Sequence, residues 1–152
     1  FDNYDMKGRT YRYFEGQPLW AFGYGMSYTK FAYSDLRLPA EVRAGNSVTV
    51  SAEVRNVGDR AGDEVAQLYL KHKDARAAAP IRSLQGFARV SLKPGERRRV
   101  EFTLSPDQLA LIGEGGRPVI EPGEIEIAVG GGQPGQAAST TEVLTGACRI
   151  VR

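Results

Sequence analysis

The stretch Ser47–Val57, "SVTVSAEVRNV", most constrains what this chain can become. Val48, Val50, Ala52 and Val54 alternate with Thr49, Ser51, Glu53 and Arg55. A period of two sends each set to one face of an extended strand, so one face is buried and the other meets water. The period returns in "RRRVEFTL", where Val100, Phe102 and Leu104 face inward and Arg99, Glu101 and Thr103 outward. It returns again where Ile125, Ile127 and Val129 alternate with Glu124, Glu126 and Ala128. Glu64–Lys71 also alternates, but both of its faces are fairly apolar, which predicts a central strand in a sheet. Arg82–Leu92 reads as a further extended segment broken near Gly86, and Val143–Val151 as a closing strand. Val50, Val54, Leu68, Phe102 and Ile127 are the expected core.

Turn chemistry separates these strands. "NVGD" at Asn56–Asp59 and "KPGE" at Lys93–Glu96 supply turn residues, and "EPGE" at Glu121–Glu124 reads as a second use of the same Pro-Gly turn. "DARAAAP" and "GGGQPGQ" read as loops. "SPDQL" is one helical turn, with Ser105 as N-cap and Pro106 at the first helical position. Many strands and a single helical turn predict an all-β sandwich. A length of 152 residues suits one domain with a real core.

The N-terminal segment is different. "WAFGYGMSYTKFAYS" packs six aromatic residues and two glycines into fifteen positions. Gly23 and Gly25 would weaken a strand, and the same glycines and aromatics are poor helix formers. Residues 1–31 therefore read as an ordered but irregular arm, and residues 32–152 as the sandwich. Such a cluster suits stacking on sugar rings or burial against a neighbouring domain.

Little else in the sequence carries chemistry. Twenty basic residues interleave with eighteen acidic ones for a net charge of +2, which argues against a nucleic-acid surface. No apolar run approaches a membrane span. Asp63 and Glu64 are neighbours on a strand and point to opposite faces, so they cannot flank one glycosidic bond. His72 reads as a solvated residue at a strand end, and Cys148 as a half-buried apolar residue near the last strand. Nothing in the pattern assembles them into a dyad, and one Cys with one His does not suggest a metal site. Arg97 and Arg99 share an outer face and read as a solvated strand end. No metal, cofactor or catalytic residue is assigned.

Four motifs then resemble one family. "RTYRYFEGQPLWAFGYGMSYTKFAYSDL", "VRNVGDRAGDEVAQLYL", "PIRSLQGFARVSLKPGE" and "EPGEIEIAVGG" are similar, in the same order, to segments of glycoside hydrolase family 3 enzymes, the β-glucosidases and β-xylosidases. Ala21 stands where Pro is usual, Met26 where Leu is, and Ile125 where an aromatic is common. The resemblance implies the C-terminal fibronectin type III-like (immunoglobulin-like) β-sandwich of such an enzyme. It implies retaining hydrolysis of terminal β-linked sugars by the parent protein, with the nucleophilic Asp on an N-terminal barrel and the acid/base carboxylate on an α/β domain. No position here matches either motif. The barrel and α/β domains become the expected partners, with Trp20, Phe22, Tyr24 and Tyr28 as interdomain contacts. The opening "FDNYDM" reads as the middle of a longer protein. The alternative is a free-standing carbohydrate-binding or adhesion module. The compartment stays open, with periplasm or secretion both compatible.

Overall fold

A computed structural model describes residues 5–135 and 142–152. Among the described residues ten strands run in chain order: β1 (Phe31–Arg37), β2 (Glu41–Arg43), β3 (Val48–Asn56), β4 (Gly62–His72), β5 (Ser83–Leu92), β6 (Arg97–Leu104), β7 (Leu111–Ile112), β8 (Pro118–Val119), β9 (Gly123–Gly130) and β10 (Val143–Val151). One sheet has the order β1-β3-β6 and the other β2-β10-β9-β4-β5; β7 and β8 form a separate two-stranded ribbon. The chain is thus an all-β sandwich. All ladders are antiparallel except β2 with β10.

The inward sets of the two sheets meet in one core. It includes Val50, Val54, Leu68, Phe102 and Ile127, as their alternation predicts. β4 is a central strand, paired with β9 on one side and β5 on the other. The break near Gly86 is a bulge. Gly86 faces Leu68 and Leu84 faces Tyr69, so Gln85 is the extra residue. A Cβ on Gly86 would stand 3.0 Å from the Phe102 ring, so the bulge brings bare backbone to the edge of that side chain.

Two strands escape the alternation rule. β1 is extended, yet its register slips between Ser34 and Arg37, where Asp35 takes a left-handed φ of 51°. Asp tolerates that conformation. β2 has three residues, too few to show a period.

The two Pro-Gly sites also differ. At Lys93–Glu96 the Glu96 amide donates to the Lys93 carbonyl at 3.0 Å and Gly95 has φ 76°, a tight turn as expected. Pro122–Gly123 makes no such turn: Gly123 opens β9 with φ 159°. There the Glu121 carboxylate accepts from the Arg76 and Ala77 amides and holds the 74–80 loop. Ser105 does cap its helical turn. Its hydroxyl accepts from the Gln108 amide, and the Gln108 side chain accepts from the Ser105 amide.

Asn56, fully buried at the end of β3, ties the arm to this frame. Its side-chain amide donates to the Arg60 and Leu92 carbonyls, and its Oδ1 accepts from the Gly58 amide and the Thr29 hydroxyl. "NVGD" is therefore a junction as well as a turn.

Candidate functional site

The chemistry-bearing residues separate as the strand geometry requires. Asp63 points outward, where it accepts from Ser91 and Arg89, and those bonds hold its carboxyl below the usual range. Glu64 points inward and accepts from the buried Tyr33 hydroxyl at 2.9 Å. Burial pushes the Glu64 carboxyl up, partly offset by that hydrogen bond. Burial, then the Glu64 charge, pushes the Tyr33 hydroxyl up as well. The pair joins the two sheets and has the character of a core crosslink.

His72 and Cys148 both depart from the sequence reading. His72 is half-buried, and burial lowers its pKa. Cys148 is fully buried in β10. Each pairs across its own ladder with Ile125, so one strand lies between them. Two strand spacings, about 9.5 Å, exceed hydrogen-bond reach.

The arm is where exposed apolar surface collects. Trp20 is 61% exposed, Met26 86% and Tyr28 93%; Phe22 is partly open and Tyr24 half-buried. The arm contains one helical turn, Thr10–Tyr13, and folds back so that Tyr11 stacks on Phe22 with ring centroids 3.9 Å apart. Trp20 leans on Tyr24 at 4.7 Å. Of the four aromatics singled out in the sequence, Phe22 thus joins Tyr11, Trp20 joins Tyr24, and Tyr28 stands apart from both ring pairs.

The arm is not loose. Its segment Ala21–Tyr24 lies on the outer face of the five-stranded sheet through a polar latch. The Gln67 amide donates to the Gly23 carbonyl at 3.1 Å and to the Gly131 carbonyl at 3.3 Å. The Tyr69 hydroxyl donates to Gln67 Oε1 at 2.6 Å, and the Phe22 amide donates to Gln133 Oε1 at 3.1 Å. Gln67, Tyr69 and Gln133 are all buried. Gly23 fits only as glycine: its φ is 75°, and a Cβ would come 2.3 Å from Gln67 Oε1. Gly25, in contrast, has no positive φ and open space around it.

Beside the latch, Phe87 is 71% exposed. It pairs with Gln67, so both occupy the outer face, and with Phe22, Tyr24 and Met26 it lines a groove of about 900 Å³. The sequence held one signal for it: Phe87 is the aromatic in an outward set whose other members are Arg89 and Ser91.

Residues 64–133 match the fibronectin type III-like domain family. A β-xylosidase from Formosa agariphila is 40% identical over 121 residues, covering 79% of this chain and 17% of that protein. A periplasmic β-glucosidase from Salmonella typhimurium is 41% identical over 125 residues, covering 80% of this chain and 16% of that protein. This chain is a fibronectin type III-like domain of the kind carried by glycoside hydrolase family 3 enzymes. The solved structure of a β-glucosidase from Erythrobacter marinus matches this domain with a TM-score of 0.80 at 36% identity, over 90% of this chain and 17% of that one. The domain spans about a sixth of the length of the curated relatives it matches.

Proposed function

We propose that this domain is the non-catalytic, C-terminal structural part of a retaining, exo-acting β-glycosidase that cleaves terminal β-linked glucose or xylose. Residues 1–31 serve as an interdomain arm and residues 32–152 as the sandwich. Trp20, Phe22, Tyr24 and Tyr28 contact the barrel or α/β domain of the parent enzyme. The observation that carries this reading is the concentration of exposed aromatic surface on an arm that is itself latched to the sandwich. Exposed apolar clusters of this kind mark interaction surfaces. The relatives point the same way, since each is a glycosidase about six times longer than the matched domain.

The test uses the paired substitutions Trp20→Ala and Tyr24→Ala. In the full-length enzyme they loosen the domain contact and lower the thermal transition, with little change in which sugar is cleaved. The rival reading, a carbohydrate-binding module, predicts a saturable shift of Trp20 fluorescence on titration with glucose, xylose or a β-linked oligosaccharide. Trp20 is the single tryptophan of the chain, so that signal is unambiguous. Such a shift, abolished by Tyr24→Ala, would sink the structural reading. So would aryl β-glucoside turnover by this chain that a mutation in the chain removes.

A further inference from the structure

We propose that the arm and the outer face of the five-stranded sheet form a single docking surface, with Phe87 and Met26 as its anchors, and that its occupant is the domain preceding this one in the same polypeptide. The proposal rests on the reading of the chain as one part of a larger glycosidase, and it adds the sheet side of the contact.

Three observations carry it. The first is continuity. Phe87 pairs with Gln67, Gln67 holds Gly23, and Phe22, Tyr24, Met26 and Phe87 line one groove. Arm and sheet therefore present their apolar groups together. The second is preparation of the surface. The latch fixes the arm's backbone through buried Gln67, Tyr69 and Gln133, so the rings are held in place before anything docks, which lowers the ordering cost of association. The third is the route of the chain. Gly8 and Thr10 line a cleft with Trp20 and Phe22, so chain entering the arm arrives at the rim of this surface. A domain tethered there by a short link has an effective concentration on the order of millimolar.

The remaining chemistry disfavours other occupants. Lys30, Asp63 and Glu142 on the groove wall mix both signs, which suits neither a nucleic acid nor an anionic membrane. A sugar needs polar groups aimed into its site. Here the Gln67 amide is engaged by the arm and by Gly131, its carbonyl oxygen accepts from Tyr69, and the Asp63 carboxylate accepts from Arg89 and Ser91.

The experiment compares Phe87→Ser with the arm pair Trp20→Ala and Tyr24→Ala, each in the full-length enzyme and in the 152-residue chain. Phe87 is largely exposed, so Phe87→Ser leaves melting of the 152-residue chain unchanged. In the full-length enzyme it makes amide exchange across residues 20–28 and 84–90 about five- to thirtyfold faster, the range for losing one or two anchoring contacts. If the arm pair speeds exchange in the full-length enzyme and Phe87→Ser does not, the sheet side is not part of the interface: this inference falls and the structural reading stands. If neither does, both fall. A dimer of the 152-residue chain in sedimentation that Phe87→Ser dissolves would make the occupant a second copy and overturn the proposal.

Discussion

The two outer faces of this sandwich were made by the same strand geometry and ended up with opposite chemistry. The three-stranded sheet shows water Thr49, Glu53, Arg55, Arg97, Arg99 and Glu101. Its charges answer one another: Arg97 pairs with Glu53, and Asp35 with both Arg37 and Arg99. The five-stranded sheet turns Val65, Gln67, Tyr69 and Phe87 outward and is partly covered by the arm. The first face joins its charged groups to one another. A face that buries two glutamines and a tyrosine, then leaves phenylalanine and methionine open beside them, is built to be covered.

The largest effect sets the scale between those faces. Phe102→Ala, on the inner side, should destabilise the domain by about 3–5 kcal/mol, read from the urea midpoint. A midpoint that stays put would mean that the inner faces do not meet as described. Next comes the latch. Gln67→Ala should cost about 1–3 kcal/mol, because it strips the Gly23 and Gly131 carbonyls of their side-chain donor and leaves the Tyr69 hydroxyl only its long 3.5 Å contact with the Phe22 carbonyl. An equal loss from Thr49→Ala, on the other outer face, would erase the distinction between the two faces.

Smaller, and opposite in sign, is the response of the buried carboxylate. Burial raises the Glu64 pKa above its unfolded value. The folded state therefore holds this proton more tightly, and the stability Glu64 contributes is fully present below its unfolded pKa and lost as pH rises through the folded one. Glu64→Gln keeps an acceptor for Tyr33 and removes the charge. Its urea midpoint should gain on the wild type as pH rises from 4 to 8, and a gap that shrinks over that range would refute the assignment. Smaller again are the open rings. Trp20→Ala with Tyr24→Ala should change melting of the 152-residue chain by no more than about 0.5 kcal/mol, as for surface substitutions generally. A larger loss would mean that the sandwich, rather than a partner, uses those rings.

How much of this was legible in the sequence follows from the same contrast. Strands with one wet face declare themselves by period, and β3, β6 and β9 were readable for that reason. β1 was not, because its bulge at Asp35 breaks the period and its aromatics continue those of the arm. Pro122–Gly123 carried the letters of a turn without the conformation. The aromatic arm was visible as a cluster, but the latch was not. Gln67 reaches Gly23 across 44 residues and Gln133 reaches Phe22 across 111, and a lone glutamine in a strand has no local signature of what it will meet. Phe87 stood in an outward register, so its exposure was readable from the period of β5.

The smallest predicted effect tests the polar face itself. Hydrogen bonds from Arg37 and then Arg99 hold the Asp35 carboxyl below its ordinary pKa. The unfolded chain takes up that proton at a higher pH than the folded one, so the stability this group contributes is present above the unfolded value and lost as pH falls through the folded one. Asp35→Asn is the suitable probe, because Asn also tolerates the left-handed φ of 51° at the bulge, and it removes the charge while keeping one acceptor oxygen for the arginines. The pairs are solvent-exposed, so the loss at pH 7 should be slight and should shrink further in 1 M salt, where screening acts over about 3 Å. It should also vanish as pH is lowered below the carboxylate range, the reverse of the Glu64→Gln trend. A salt-independent loss that persists at low pH would show that Asp35 serves the bulge by its shape and hydrogen bonds. The outer face of the three-stranded sheet would then be held by backbone geometry, with its charges only satisfied there.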